Sequence, residues 1–414
     1  MTVMSPEPLR CHRHGTSISD RGRSVPPLTS AWSFFLLLAV LVAVPLSGNV
    51  RAGGEKEQAL RLRKGPYLQN VRRHSITVMW ETNPPAAGEV TWSRDGTTER
   101  TQVGSKEKLQ TVTLQGLRPG TQYSYTVTAR RGPERATGSG TFTTLPGGDS
   151  PFSFVVLGDN RSRPKKAQKV MQAITDAARR EDPTLAFALH TGDLVANGRK
   201  PAHWQNQFFE PTASLIRNLC VWPALGNHER NSELYFRYFS LPGNERWYAF
   251  STGGVHFVFL DLHFSDFTPG SEQYTWLKKE LQQNRDRATV VTIHPSPFSS
   301  GPHASKTKDG EYAERPIELA HRHLVPLFEK NNVRVVFSGH DHLYERSKKG
   351  GVYYICQGMG GAPLYGTPSE NPYSQKVITG KLGYSIVRVR DNAMKILTRT
   401  AGGDVVDRVT VPLD

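Results

Sequence analysis

Val335-Val-Phe-Ser-Gly-His-Asp-His342 begins as an apolar run and closes on two imidazoles, His340 and His342. The same design occurs four times upstream. Phe154-Val-Val-Leu-Gly-Asp159 ends in a carboxylate and Leu189-His-Thr-Gly-Asp193 in a second, Pro223-Ala-Leu-Gly-Asn-His-Glu229 brings Asn227 and His228, and Val290-Val-Thr-Ile-His294 ends in an imidazole. Between these runs, residues 166–178 carry Val170, Ile174, Ala177 and Ala178 at helical spacing, and 272–282 place Tyr274, Leu277 and Leu281 on one face. Alternating strands and helices over 151–414 predict an α/β layered domain with a mixed sheet. In such folds the carboxyl ends of several strands converge, so five polar strand ends in series predict one site.

The donor set narrows the chemistry. Asp159, Asp193, Asn227, His294, His340 and His342 offer oxygen and imidazole nitrogen without a thiolate. That mixture favours Mn, Fe or Zn over a cysteine-rich structural zinc site or an all-oxygen calcium site. Six ligands exceed the need of one tetrahedral ion and suit two ions ~3.5–4 Å apart that share a carboxylate. Such a pair can hold a bridging hydroxide as nucleophile and neutralise phosphoryl oxygens, so a two-metal hydrolase is the first expectation.

Ahead of this domain the rhythm differs. Ile76, Val78 and Trp80 alternate with polar residues, as do Val90 and Trp92 before an Asp95-Gly96 turn signal. Val112-Thr-Leu114, Tyr123-Ser-Tyr-Thr-Val127 and Thr141-Phe-Thr-Thr144 continue the pattern, which predicts an all-β sandwich over 53–146. Leu145-Pro-Gly-Gly-Asp-Ser150 reads as a linker by composition. At the amino terminus, arginines precede the 11-residue apolar run 34–44 and Val50-Arg51-Ala52 follows it. The run is short of the ~20 residues of a membrane span but fits a signal core of ~7–15. Residues 1–52 are therefore expected to be an export signal, cleaved or kept as an anchor, and the rest to be periplasmic, secreted or held outside the membrane. Cys220 and Cys356 sit in apolar surroundings, as buried free thiols or as one disulfide.

Taken together, GD (158–159), GD (192–193), GNHE (226–229), His294 and GHDH (339–342) resemble the calcineurin-like metallophosphoesterase superfamily in order and spacing. The leading sandwich, the 247–261 stretch, the Gln273-x-x-Trp-Leu277 segment and Gly358-Met-Gly-Gly-Ala-Pro-Leu364 are similar to its purple acid phosphatase branch. Leu117-x-Pro-Gly-x-x-Tyr123 resembles the fibronectin type III pattern, in which the Tyr anchors a strand after a tight turn. The resemblance spans roughly 63–412. It implies a four-layer α/β domain with mixed sheets and two metal ions. Asp159, Asp193 and His342 would hold the first ion. Asp193 would bridge to the second, completed by Asn227, His294 and His340. His228 would stand near the leaving oxygen, and His303 falls where that branch often carries a substrate-facing histidine.

Two positions depart from the branch. Its members have a Tyr ligand three residues after the second Asp, where this chain has Ala196, and other superfamily members place a His where it has Arg161. The first ion thus lacks one customary ligand, so no purple colour and less Fe(III) preference are expected. Arg161 is expected either as a phosphate clamp, its planar fork suiting an oxyanion, or as a rim residue.

The chain has 414 residues and a formal charge of +15. Its basic residues are dispersed rather than clustered, so a nucleic-acid partner is not expected. The expected substrate is a small phosphate ester, a monoester before a diester or nucleotide. The rival from another class is a binding protein with a degenerate phosphatase domain.

Overall fold

The computed structural model describes residues 58–103, 107–182 and 184–414. The expected export signal at 1–52 lies outside these residues. Among the described residues no helix is long and apolar enough to cross a membrane.

Seven strands open the described chain: β1 (Arg61–Gln69), β2 (Ser75–Asn83), β3 (Ala87–Arg94), β4 (Thr97–Val103), β5 (Leu109–Gln115), β6 (Gln122–Arg131) and β7 (Glu134–Thr143). They pair antiparallel into the sheets β1-β2-β5 and β4-β3-β6-β7, with Val78, Trp80, Val90, Val127 and Phe142 buried. The Tyr123 hydroxyl accepts from Arg118 N at 2.9 Å and pins the turn that enters β6.

Alternation in β2 predicts one polar face, yet the structure buries Ile76 through Thr82 on both sides. The reason is a second covering layer. Met79 and Glu81 pair with Tyr67 and Lys64 of β1 and share their face. The Tyr67 hydroxyl donates to Tyr238 O at 2.9 Å, its ring lies 5.2 Å from that of Phe209, and the Lys64 ammonium stands 4.8 Å from the Tyr238 ring centre. One hydrophobic core therefore runs from the sandwich into the following domain. The compositional linker begins inside it: Leu145 is buried and its N–H donates to Arg72 O.

Thirteen further strands follow: β8 (Phe152–Leu157), β9 (Leu185–His190), β10 (Cys220–Pro223), β11 (Tyr248–Thr252), β12 (Val255–Phe259), β13 (Ala288–Pro295), β14 (Val333–Gly339), β15 (Tyr344–Lys349), β16 (Val352–Gln357), β17 (Ser374–Ile378), β18 (Gly383–Arg390), β19 (Ala393–Thr400) and β20 (Val405–Pro412). They form two mixed sheets, β10-β9-β8-β18-β19-β20 and β11-β12-β13-β14-β16-β15-β17. Phe154 and Phe187 from the first meet Phe257 of the second edge to face at 5.3 and 5.4 Å, so the sheets pack face to face through aromatic rings. Helix Pro164–Glu181 turns buried Val170, Met171 and Ile174 inward, and helix Glu272–Gln283 lays Leu277 and Leu281 on the far side of the second sheet. The result is the expected four-layer α/β/β/α arrangement.

Cys220 and Cys356 are buried free thiols, not a disulfide. After Asp193 the chain turns helical at Pro201: Pro201–His203, a wide turn at Trp204–Phe209 and Glu210–Ile216 run on without a break. Trp204, Phe208 and Phe209 supply its apolar face, all three buried.

Candidate metal centre

β8, β9 and β10 run parallel in one sheet, and β13 and β14 run parallel in the other. Asp159, Asp193 and Asn227 follow the first three at or near their carboxyl ends. His294 sits in the last turn of β13, and His340 and His342 follow β14. All six predicted ligands thus gather at one rim between the sheets, and all but Asn227 are buried.

Asp159, Asp193 and His340 reach it through left-handed backbone, with φ of +56°, +59° and +72°. Such angles are uncommon for residues with a side chain and persist where the surroundings enforce them. Here they turn each chain sharply out of its strand so that the side chain points back into the rim. The preceding glycines answer to crowding. A β-carbon on Gly226 would come within 2.3 Å of Asp193 Oδ1, and one on Gly339 within 2.2 Å of Asp159 Oδ2.

The hydrogen bonds fix which nitrogen of each imidazole is bare. His294 Nδ1 lies 2.7 Å from Thr191 O, which only accepts, so Nδ1 carries the proton and Nε2 does not. Burial pushes His294 well below the usual imidazole range and keeps it neutral. His340 Nε2 donates to Glu314 Oε2 at 2.8 Å, which leaves Nδ1 toward the rim. His294 Nε2 then stands 3.1 Å from Asn227 Oδ1, 3.3 Å from Asp193 Oδ1 and 3.2 Å from His340 Nδ1. Four lone pairs face one another there, an arrangement that calls for a cation between them. The donor types and their convergence fit a transition metal.

Beside it, Asp159, Asp193 and His342 bring one ligand atom each to within 4.8 Å of one another. His342 Nδ1 is committed to Pro363 O at 2.5 Å, so its Nε2 faces Asp159 Oδ1 at 3.5 Å. Burial raises the Asp159 carboxyl above its usual range, partly offset by His342. Burial acts likewise on Asp193, but His294, His228 and Arg161 outweigh it and hold that carboxyl down.

Of the expected reacting residues, His228 is half-buried at the rim. Its Nδ1–H is spent on Ala196 O at 2.8 Å, and its Nε2 stands 3.8 Å from Asp193 Oδ2. His303 lies against His340, ring centres 3.8 Å apart, and its Nδ1 meets Glu314 Oε1. Arg161 is not a surface side chain beside the rim but points into it. Its side chain is 13% exposed, and its Nε donates to Asp193 Oδ2 at 2.9 Å.

Three neighbours carry no signal in the sequence pattern. Glu314 joins His303 to His340, Tyr365 stacks on His342 with ring centres 4.1 Å apart, and His263 lies 5.4 Å from His294. His263 belongs to none of the sequence motifs, yet it stands beside the site. All three come from loops without a fixed motif, so only the folded chain brings them together. Glu229, Asp261 and His190 serve support: Glu229 accepts from the N–H groups of Asp193, Leu194 and Gly226, Asp261 from those of His263 and Phe264, and His190 holds Asn160.

Residues 152–344 match the calcineurin-like phosphoesterase family, and residues 59–133 match a domain of unknown function, DUF7800. Acid phosphatase type 7 of Mus musculus is 26% identical over 408 residues, covering 86% of this chain and 84% of the relative. A purple acid phosphatase from yellow lupin (Lupinus luteus) seeds superposes with a TM-score of 0.68 at 19% identity, covering 84% of this chain and 74% of that one. PhoD superposes with a TM-score of 0.64 at 14% identity, covering 83% and 88%. Residues 152–344 are a calcineurin-like metallophosphoesterase domain, in a chain similar over most of its length to an acid phosphatase and sharing its fold with a purple acid phosphatase.

Proposed function

We propose that this phosphatase hydrolyses small phosphomonoesters at the rim, with Asp159, Asp193 and His342 holding one metal ion and Asp193, Asn227, His294 and His340 the other. The observation that carries the reading is the set of lone pairs turned on one another by His294, His340, Asn227 and Asp193. Ions bound there supply Lewis acidity toward phosphoryl oxygens and acidify water.

The chain's own residues do the rest. His228 has its Nδ1–H anchored on a carbonyl, so Nε2 is the nitrogen on the site side through which a proton can pass to the leaving oxygen. Glu314 accepts from His303 and His340 at once and so sets both rings. His303 is left with its Nε2 for a non-bridging phosphoryl oxygen. The test is hydrolysis of p-nitrophenyl phosphate beside bis-p-nitrophenyl phosphate, after chelation and with Mn, Zn or Fe restored. Monoester turnover that returns with metal is expected. Asn227→Ala should abolish it, and His228→Asn should lower kcat by ~10²–10⁴-fold with metal content unchanged. Faster diester turnover would reassign the substrate, and none with either ester would favour a binding protein.

The same reading takes residues 1–52 as an export signal. Sequencing the amino terminus of the exported protein should find Gly53 first; an intact Met1 would leave the segment as an anchor.

A further inference from the structure

The two halves of the rim are not alike. Around His294 the lone pairs of four atoms face one another, and the donor that reaches Asp193 Oδ1 is a neutral backbone N–H, that of His228, at 3.0 Å. Around Asp193 Oδ2 and His342 a charged donor is already present. Arg161 Nε donates to Asp193 Oδ2 at 2.9 Å, and its Nη2 stands 3.3 Å from His342 Nε2, the bare nitrogen. The guanidinium therefore lies between two of the three atoms that would hold the first ion. It cannot shed its charge to make room, since arginine stays protonated in proteins. Its third contact is the Ser162 hydroxyl at 3.2 Å, where Ser162 has a φ of +70°; this bend folds the loop back over the rim. The Tyr365 side chain also hydrogen-bonds it, while Ala196 of the facing loop offers only its backbone: its N–H donates to Gln207 Oε1 and its O binds His228.

Resting on the reading above, we infer that the two metal positions are unequal. The Asn227–His294–His340 position takes its ion tightly, while the Asp159–His342 position is filled at rest by the Arg161 guanidinium, a built-in cation that the second ion must displace. The shared carboxylate, Asp193, thus keeps a positive partner on Oδ2 when only one ion is bound. The cost falls on affinity, because an entering divalent ion meets a fixed like charge at close range and must break the Arg161–Asp193 ion pair.

The test counts metal rather than turnover. Wild type, Arg161→Ala and Arg161→His are stripped with chelator, titrated with Mn(II) or Zn(II), passed through gel filtration and analysed for bound metal. Elution volume and circular dichroism report the fold. Wild type should retain about one ion per chain, with the second binding at least tenfold more weakly. Both variants should retain about two, the histidine variant more firmly because it adds a ligand. Wild type holding two ions of equal affinity, with Arg161→Ala unchanged, would overturn the inference and leave the phosphatase reading standing. No retained metal in any folded variant would instead overturn the phosphatase reading, and this inference with it.

Discussion

Glu229 shows how much of the rim hangs on one buried carboxylate. Its Oε2 takes the N–H groups of Asp193 and Gly226 at 2.9 and 2.8 Å, and its Oε1 takes that of Leu194 at 2.9 Å. It thereby locks the loop bearing Asp193 to the loop bearing Asn227. Glu229→Gln keeps the shape but turns one acceptor into an NH₂ donor that faces backbone donors. That mismatch should cost about 2–4 kcal/mol, from a lost charge-assisted bond and a buried unmatched group. We expect a lower Tm and earlier metal loss on chelator titration; an unchanged Tm would show that the loops hold themselves. Residues of this kind mark the reach of sequence reading. Asp159, Asp193, Asn227, His294, His340 and His342 were legible because each ends an apolar run, and strand order alone brings such ends together. Arg161 was legible only as a departure, since whether a long side chain folds inward depends on the loop bend at Ser162. Glu314 and His263 were not legible, because their loops meet the rim through packing that no periodicity encodes.

Among the elements, the two sheets need ties beyond their aromatic faces. Asp407 on β20 accepts from Arg346 Nε at 2.7 Å and from the Tyr344 hydroxyl at 2.7 Å, both on β15. It thus joins the last strand of one sheet to the sheet that carries His340. Burial alone would raise this carboxyl, but its bonds to Arg346 and Tyr344 win and hold it below the usual range. A depressed folded-state pKa stabilises above the unfolded value, about 3.9, and the contribution fades as pH falls from there through the folded pKa. Asp407→Asn should therefore be about 1–3 kcal/mol less stable at neutral pH, with the difference shrinking below pH about 4. Urea melts of both proteins across that range test this; a constant difference would mean that the carboxylate charge contributes nothing. The fold class itself was readable at this scale, from strand–helix alternation. The second buried face of β2 was not, because nothing in its own sequence says what will cover it.

At the scale of the whole molecule, the sandwich reaches the rim through one chain of contacts. Tyr67 of β1 packs its ring against Phe209, in the wide helical turn Trp204–Phe209. Gln207 in that same turn accepts from Ser162 N at 2.9 Å and Ala196 N at 2.8 Å, and its carbonyl takes Asn160 Nδ2 at 3.0 Å. The turn therefore staples the loop of Asp159 and Arg161 to the loop of Asp193, and the sandwich presses on its far side. A sandwich that were only tethered would melt separately and leave the rim intact. A sandwich sharing one core should melt with it in a single transition, and damage at their junction should be felt at the metals. Tyr67→Ala removes a buried ring and its bond to Tyr238 O, and should cost about 3–5 kcal/mol. Tyr67→Phe, which loses only the hydroxyl, should cost about 1 kcal/mol. Calorimetry of the variant should show one transition moved down, with metal released at a lower chelator concentration, as in Gln207→Ala. Two separate transitions, with the upper one and the bound metal unchanged from wild type, would reduce the sandwich to a passenger.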